Sequence, residues 1–239
     1  MSMKKYEPQA VEIVNTTNDL DIVVSTAKAY PRNITYALDE IKTMINPNVA
    51  KTLWYSLPRK DKIIEGPSIR LAELFQTAWG NLRVQSRIKE ITNTQVVAEC
   101  VAYDMEKNVM VGTEVRKRIV DKHGNRYSED MIIMTANAAI SVARRNAIFS
   151  IIPKVFVDDI LNYAKNILHT HPSMKEFPLK SRWNQLIEEF KLNFKMDKKA
   201  VMEKLNIKDE NSITEVDYNN ALGLFNSMNE LLDEVEASE

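Results

Sequence analysis

Residues 82–120, LRVQSRIKEITNTQVVAECVAYDMEKNVMVGTEVRKRIV, decide the fold. Leu82, Val84, Ser86 and Ile88 alternate there with Arg83, Gln85, Arg87 and Lys89, the period of two that belongs to a strand. Thr92-Asn93-Thr94 is a turn, and residues 95–104, rich in Val and Ala, form a second strand. Glu106-Lys107-Asn108 turns the chain again, residues 109–120 form a third strand, and Asp121-Lys122-His123-Gly124-Asn125 makes the next tight loop. Three strands joined by such short turns read as an antiparallel meander.

Helices flank it on both sides. Asp130 opens a long one to about Phe149, with Ile132, Ile133, Ala136, Ala139, Ile140 and Ala143 on its apolar side. Pro153 stops it, and a shorter helix covers residues 155–168. Upstream, Ser68 is placed to cap a helix over residues 69–79, which Gly80-Asn81 closes. Trp54, Tyr55 and Leu57 lead into a basic turn at residues 58–62, and helical spacing recurs over residues 34–45 and 19–28. Residues 1–19 are polar and expected to be ill-ordered. Downstream, residues 169–173 read as a linker, followed by helices over 181–194, 197–205 and 215–232. The expected class is α+β: an antiparallel β-meander of three to four strands backed by a long helix, with N-terminal helices and a C-terminal helical appendage. Two regions are expected, a core over residues 1–170 and a helical acidic region over 171–239.

Composition removes several classes of function. The chain has 239 residues, 44% hydrophobic and 27% charged, enough for a substantial core. No run of eighteen apolar residues is present, so no membrane span is expected. The start, MSMKKYEPQ, has no apolar stretch behind it and is not expected to be a signal peptide. A single cysteine, Cys100, excludes an intramolecular disulfide and a cysteine-rich zinc site, and the chain is expected to be intracellular. With only 5 glycines there is no GxGxxG and no GxxxxGK[ST] loop. His169 and His171 fall in the linker, and the carboxylate pairs Asp104/Glu106 and Glu129/Asp130 suit turns and caps better than a metal. No catalytic residue, metal site or cofactor is expected, and the chain is not read as an enzyme.

Charge is distributed unevenly. The net value is −1, yet residues 1–170 hold 23 Lys and Arg against 19 Asp and Glu, and residues 171–239 hold 9 against 14. Residues 209–239 carry nine acidic residues and no Lys or Arg. On the meander, Arg83, Arg87 and Lys89 leave one face of the first strand, and Arg116 and Arg118 share a face of the third while Lys117 takes the other. Paired as a meander, these strands set Arg83, Arg87, Arg116 and Arg118 side by side, an arrangement that calls for an anionic partner. The alternative is an exposed face partly neutralised by Glu99 and Glu114. Arg144 and Arg145 near the end of the long helix, Lys154 just after it, Arg32, and the Arg59-Lys60-Lys62 cluster beside Tyr30, Trp54 and Tyr55 add cations that suit phosphates and rings that suit bases.

Several blocks of the chain resemble bacteriophage single-strand DNA annealing proteins, the recombinases of the Sak, Erf and RecT type. They are Glu65-Gly66-Pro67-Ser68-Ile69-Arg70-Leu71-Ala72-Glu73 with Ala78-Trp79-Gly80-Asn81, Tyr30-Pro31-Arg32, Thr135-Ala136-Asn137-Ala138-Ala139, and Arg144-Arg145-Asn146-Ala147-Ile148. Ile213-Thr214-Glu215-Val216-Asp217 and Leu224-Phe225-Asn226-Ser227-Met228 are similar to the C-terminal helix pair of such proteins. The resemblance runs from about residue 20 to 165 and again in the tail. It implies ATP-independent binding of single-stranded DNA in a basic groove and annealing of complementary strands, by homo-oligomers that form rings or filaments. It implies a phage-encoded protein in the cytoplasm of a bacterial host, with a single-strand-binding protein or an exonuclease as protein partner.

By position, the resemblance implies phosphate contacts from Arg83, Arg87, Lys89, Arg116, Arg118, Arg144, Arg145 and Lys154, with Gly66, Pro67, Ser68 and Arg70 shaping the edge of the groove; an ion pair of Arg70 with Glu73 is the alternative. Leu224, Phe225, Met228 and Leu232 are expected to form the apolar face of an acidic helix that docks on a partner, the alternative being that this helix packs on the chain's own core. On the first reading, removing residues 175–239 leaves DNA binding and assembly intact. The competing function is an oligomeric protein–protein adaptor whose acidic tail recruits a partner.

Overall fold

From the N-terminus, α1 (Thr17–Ala29), α2 (Ile34–Met44) and the single turn α3 (Pro47–Ala50) lead into a hairpin of β1 (Trp54–Arg59) and β2 (Lys62–Pro67). Then come α4 (Ile69–Ala78), the strands β3 (Leu82–Ile91), β4 (Gln95–Asp104) and β5 (Val109–Arg118), and the helices α5 (Glu129–Ile151) and α6 (Lys154–Thr170). The C-terminal part holds α7 (Leu179–Phe194), α8 (Lys198–Lys204) and α9 (Glu215–Asn229), with a 3-10 turn at Glu210–Ser212. This computed structural model describes residues 17–60, 62–172 and 176–230; the expectations for residues 1–16 and for Leu232 lie outside the described residues. The class is α+β, with two antiparallel sheets of two and three strands.

Short polar side chains set the helix starts. Asn33 accepts the Tyr36 N–H, Ser68 the Leu71 N–H, Ser128 the Met131 N–H and Asp197 the Ala200 N–H, while Thr214 and Asp217 close a reciprocal capping box. At the end of α4, Gly80 takes φ +70°, the left-handed conformation that a glycine adopts without a Cβ penalty. The β1–β2 hairpin is absent from the sequence reading. Its turn places Lys60 at φ 49° without a glycine, and Pro58 sits inside β1, so neither the usual turn residues nor an unbroken alternation marks it.

The meander runs β3-β4-β5, and α5 seals one of its faces. Val96, Ala98, Cys100 and Ala102 of β4 meet Ile132, Ala136, Ala139, Ala143 and Ala147 of α5, with Val84, Ile88 and Val115 packed at the sides. Alanine at these helical intervals lets the helix axis approach the sheet closely, and Thr113 Oγ1 donates to the Ala143 carbonyl at 2.8 Å. Cys100 is fully buried in this layer and its thiol is pushed up to about 11 by desolvation.

A second core joins both ends of the chain. Trp54, Phe75, Trp79, Ile148, Ile160 and Leu168 pack in one cluster with Trp183, Phe190, Leu222 and Phe225. The helix α9 lies directly on β1. Gly223 permits the contact, since a Cβ there would stand 2.8 Å from the Ser56 backbone nitrogen. Asn226 Nδ2 donates to the carbonyls of Lys51 (2.7 Å) and Trp54 (2.8 Å), and Trp54 Nε1 donates to the Asn219 carbonyl (3.1 Å). These bonds pair polar groups that would otherwise be buried alone.

This packing corrects two expectations. The boundary at 170/171 does not separate two units, because α7 and α9 complete the core that β1, α4 and α6 begin. Leu224 and Phe225 are buried there, and Met228 is half-buried against them, so they offer a partner no docking face. Ending the chain after residue 170 is therefore expected to abolish cooperative unfolding, and Gly223→Ala to cost about 2–4 kcal/mol, as a steric clash in a core does. Urea denaturation followed by circular dichroism checks both; a 1–170 fragment with the full-length midpoint contradicts the shared core.

Candidate nucleic-acid interface

Because α5 occupies one face of the meander, the side chains of opposite parity face outward. The register lines them up in rows: Arg83, Tyr103 and Met110; Gln85, Val101 and Gly112; Arg87, Glu99 and Glu114. Past a bulge at Lys89 come Glu90, Val97 and Arg116, and then Gln95 with Arg118. The Lys89 side chain also reaches this face. Five of the expected contact residues, Arg83, Arg87, Lys89, Arg116 and Arg118, thus share one open surface. Along β4 its rows run from Tyr103 to Gln95, about 27 Å at strand rise.

Carboxylates hold the centre of this surface. Arg87 pairs with Glu99 at 2.8 Å, Lys89 with Glu114 at 2.7 Å, and Arg116 with Glu114 at 2.7 Å. The hydrogen bond from Lys89, then that from Arg116, holds the Glu114 carboxyl below its usual range, and Glu114 in turn raises Lys89. All these groups stand in water, so each pair is weak and open to exchange. At the two ends, Arg83 and Arg118 have no hydrogen-bond or ion-pair partner among the described residues. The sequence alternative of partial neutralisation by Glu99 and Glu114 therefore describes the middle of the face and not its ends. Tyr103 and the exposed Met110 give the Arg83 end a flat, apolar edge.

The other expected contact residues lie elsewhere. Arg144 and Arg145 are on α5, behind the sheet. Arg144 donates to Gln76 Oε1 (2.8 Å) and stands 3.6 Å from Glu73. Arg145 stacks on the Tyr55 ring at 4.5 Å and faces Glu230 at 3.5 Å, with 12% of its side chain exposed. Arg70 pairs with Glu73 at 3.3 Å, the alternative raised from the sequence. Lys154 is exposed at the start of α6 and pairs with Asp158 in the next turn. The expected single set is thus three groups: the sheet face, the Arg70–Arg144–Arg145 group behind it, and Lys154 alone.

Further cations take structural roles. Arg32 is buried between Asp104 (2.5 Å) and Glu106 (3.2 Å) and lies over the Trp79 ring. Its backbone N–H, donating to Glu106, is the main reason that carboxyl is held below its usual range. Arg59, Lys60 and Lys62 crown the hairpin tip, which meets α8 through a bond from Asn206 to the Lys60 carbonyl. His169 is taken by Glu215 at 3.3 Å, which also pairs with Arg182. Two residues for which the sequence implied no phosphate contact enter the group behind the sheet: Tyr55, expected there only as a ring that suits bases, lies beneath Arg145, and the charge of Lys117 acts on Glu230. Strand parity already put Lys117 on the α5 side; only the fold shows what it faces there.

No known family model matches the chain, and no characterised protein or solved structure shows significant similarity to it. Among the described residues, no helix is long and apolar enough to cross a membrane.

The two arginine environments predict different costs. Arg145→Ala strands the half-buried Glu230 and is expected to destabilise the fold by about 1–3 kcal/mol. Lys154→Ala removes an exposed pair and is expected to cost under about 0.5 kcal/mol. Denaturant midpoints decide, and equal costs contradict the assignment of Arg145 to the interior.

Proposed function

We propose that the chain binds single-stranded DNA along the open face of the meander and anneals complementary strands without ATP, acting as a homo-oligomer. The observation that carries the reading is the row of five cations on one open sheet face, balanced among the described residues by three carboxylates and ending in two arginines without counter-ions there. Phosphates of an extended strand would meet Arg83 and Arg118 directly and compete with Glu99 and Glu114 for Arg87, Lys89 and Arg116. Contacts of this kind position a backbone without reading sequence, which suits pairing of arbitrary complements. Tyr103 beside Arg83 offers a ring on which a base stacks.

Affinity per subunit is modest on this account, because three of the five cations must first give up a carboxylate. Many such sites along one strand raise the whole by avidity. Both β3 and β5 leave one edge unpaired within the sheet, and edges of ten residues are templates for pairing between copies. Annealing and the ring or filament form rest on the blocks that resemble phage annealing proteins. The adaptor reading loses much of the face it relied on, since Leu222, Leu224, Phe225 and Met228 of α9 are spent on the core.

The double substitution Arg83→Ala/Arg118→Ala is expected to weaken binding of a labelled thirty-nucleotide oligo(dT). It should also lower the slope of log K against log salt by about 1.4, two single-strand phosphate contacts, with the melting profile unchanged. An unchanged slope sinks the sheet-face site. Complementary oligonucleotides are expected to anneal without ATP or divalent metal; strict ATP dependence, or strand cleavage in Mg²⁺, moves the protein to another class.

A further inference from the structure

Behind the sheet, α9 ends by placing the Glu230 carboxylate among cations that come from three different elements. Arg145 of α5 stands 3.5 Å from one oxygen, and the Ile69 N–H at the start of α4 stands 3.4 Å from the other. Lys117 of β5 and Arg70 of α4 act on the same carboxyl by charge. Tyr55 closes the floor, its ring under the Arg145 guanidinium and its hydroxyl end packed over Gly66. Removal from water raises the Glu230 carboxyl above its usual range in spite of these cations. The fit is poor: charge-assisted N–H···O contacts settle near 2.7–2.9 Å, and neither of these does.

We propose that Arg145, Lys117, Arg70 and the Ile69 N–H form a phosphate-binding pocket, and that Glu230 is its in-chain occupant, displaced when a nucleic-acid phosphate enters. The pocket stands on the contacts of Arg145 and the Ile69 N–H with Glu230, to which Lys117 and Arg70 add charge; that the phosphate belongs to DNA rests on the function proposed above. Position makes the two uses compatible. The pocket lies on the far side of the sheet from Arg83 and Arg118, so it is a second site with its own regulation and not a continuation of the first. The segment that supplies the blocking anion continues with Asp233, Glu234, Glu236 and Glu239, so the chain end is strongly acidic in sequence. An in-chain anion also sets a threshold: only a ligand that offers many phosphates together outcompetes it.

Glu230→Gln tests this in the full-length chain, because glutamine keeps the shape and an acceptor while removing the charge. The variant is expected to bind labelled oligo(dT) about five-fold or more tighter than the natural chain, as removal of a coupled competitor does. Addition of Arg145→Gln is expected to erase the gain. Inorganic phosphate is expected to raise the melting temperature of Glu230→Gln and not that of the natural chain. Glu230→Ala, which empties the pocket, is a second variant expected to show the same gain if glutamine disturbs folding. If neither protein binds the oligonucleotide but phosphate still stabilises Glu230→Gln, the pocket stands and the DNA reading falls. If the natural chain binds DNA and both Glu230 variants match it in affinity and in phosphate response, the pocket proposal is overturned.

Discussion

The close seating of α5 on the meander governs how this chain presents its charges. Ala136, Ala139, Ala143 and Ala147 bring the helix against Val96, Ala98, Cys100 and Ala102, so the centre of one face of the sheet is sealed. Strand parity then leaves Arg83, Arg87, Arg116 and Arg118 no place but the other face. A slip of one residue in either hairpin would exchange the two sets, burying guanidinium groups against alanine, which makes the register strongly specified. The same constraint divides the cations: whatever α5 carries, including Arg144 and Arg145, is barred from the open face.

The second core gives this division its consequences. Since α9 lies on β1 through Gly223 and its Asn226 bonds, the C-terminal helix is fixed beside the α4 start and the Arg145 side chain. Glu230, at the end of α9, is thereby brought to Arg145, with the charges of Lys117 and Arg70 acting on it. Among the described residues, two carboxylates of the region that looks in the sequence like a detachable acidic tail pair with the body: Glu230 with Arg145 and Glu215 with His169. Arg145 has become part of the interior and of its counter-ion, while Arg83 and Arg118 remain free to meet an external anion among the described residues.

Legibility followed the strength of local signals. The meander was readable because apolar and polar residues alternate along its first strand and Asn-containing turns separate the strands, and α4 and α5 because Ser68 and Asp130 mark where they start. The hairpin of β1 and β2 was not, since Pro58 and a turn without glycine break the pattern that identifies such pairs. The five cations of the sheet face followed from parity alone. Their distance from Arg144 and Arg145 did not, because it depends on which face α5 covers. The apolar series Leu222, Phe225 and Met228 showed correctly that α9 has a face to bury; periodicity carries no information on whether the cover is the chain's own β1 or another protein.

The claim that matters most is that single-stranded DNA runs along the open face of β3, β4 and β5. Photocrosslinking of a 4-thiothymidine oligonucleotide to the full-length protein, followed by peptide mapping, addresses it directly. The account predicts crosslinks concentrated in residues 82–91 and 95–118, at outward positions such as Tyr103 and Met110. Crosslinks confined to α6 and α7, with none on the meander, would contradict it.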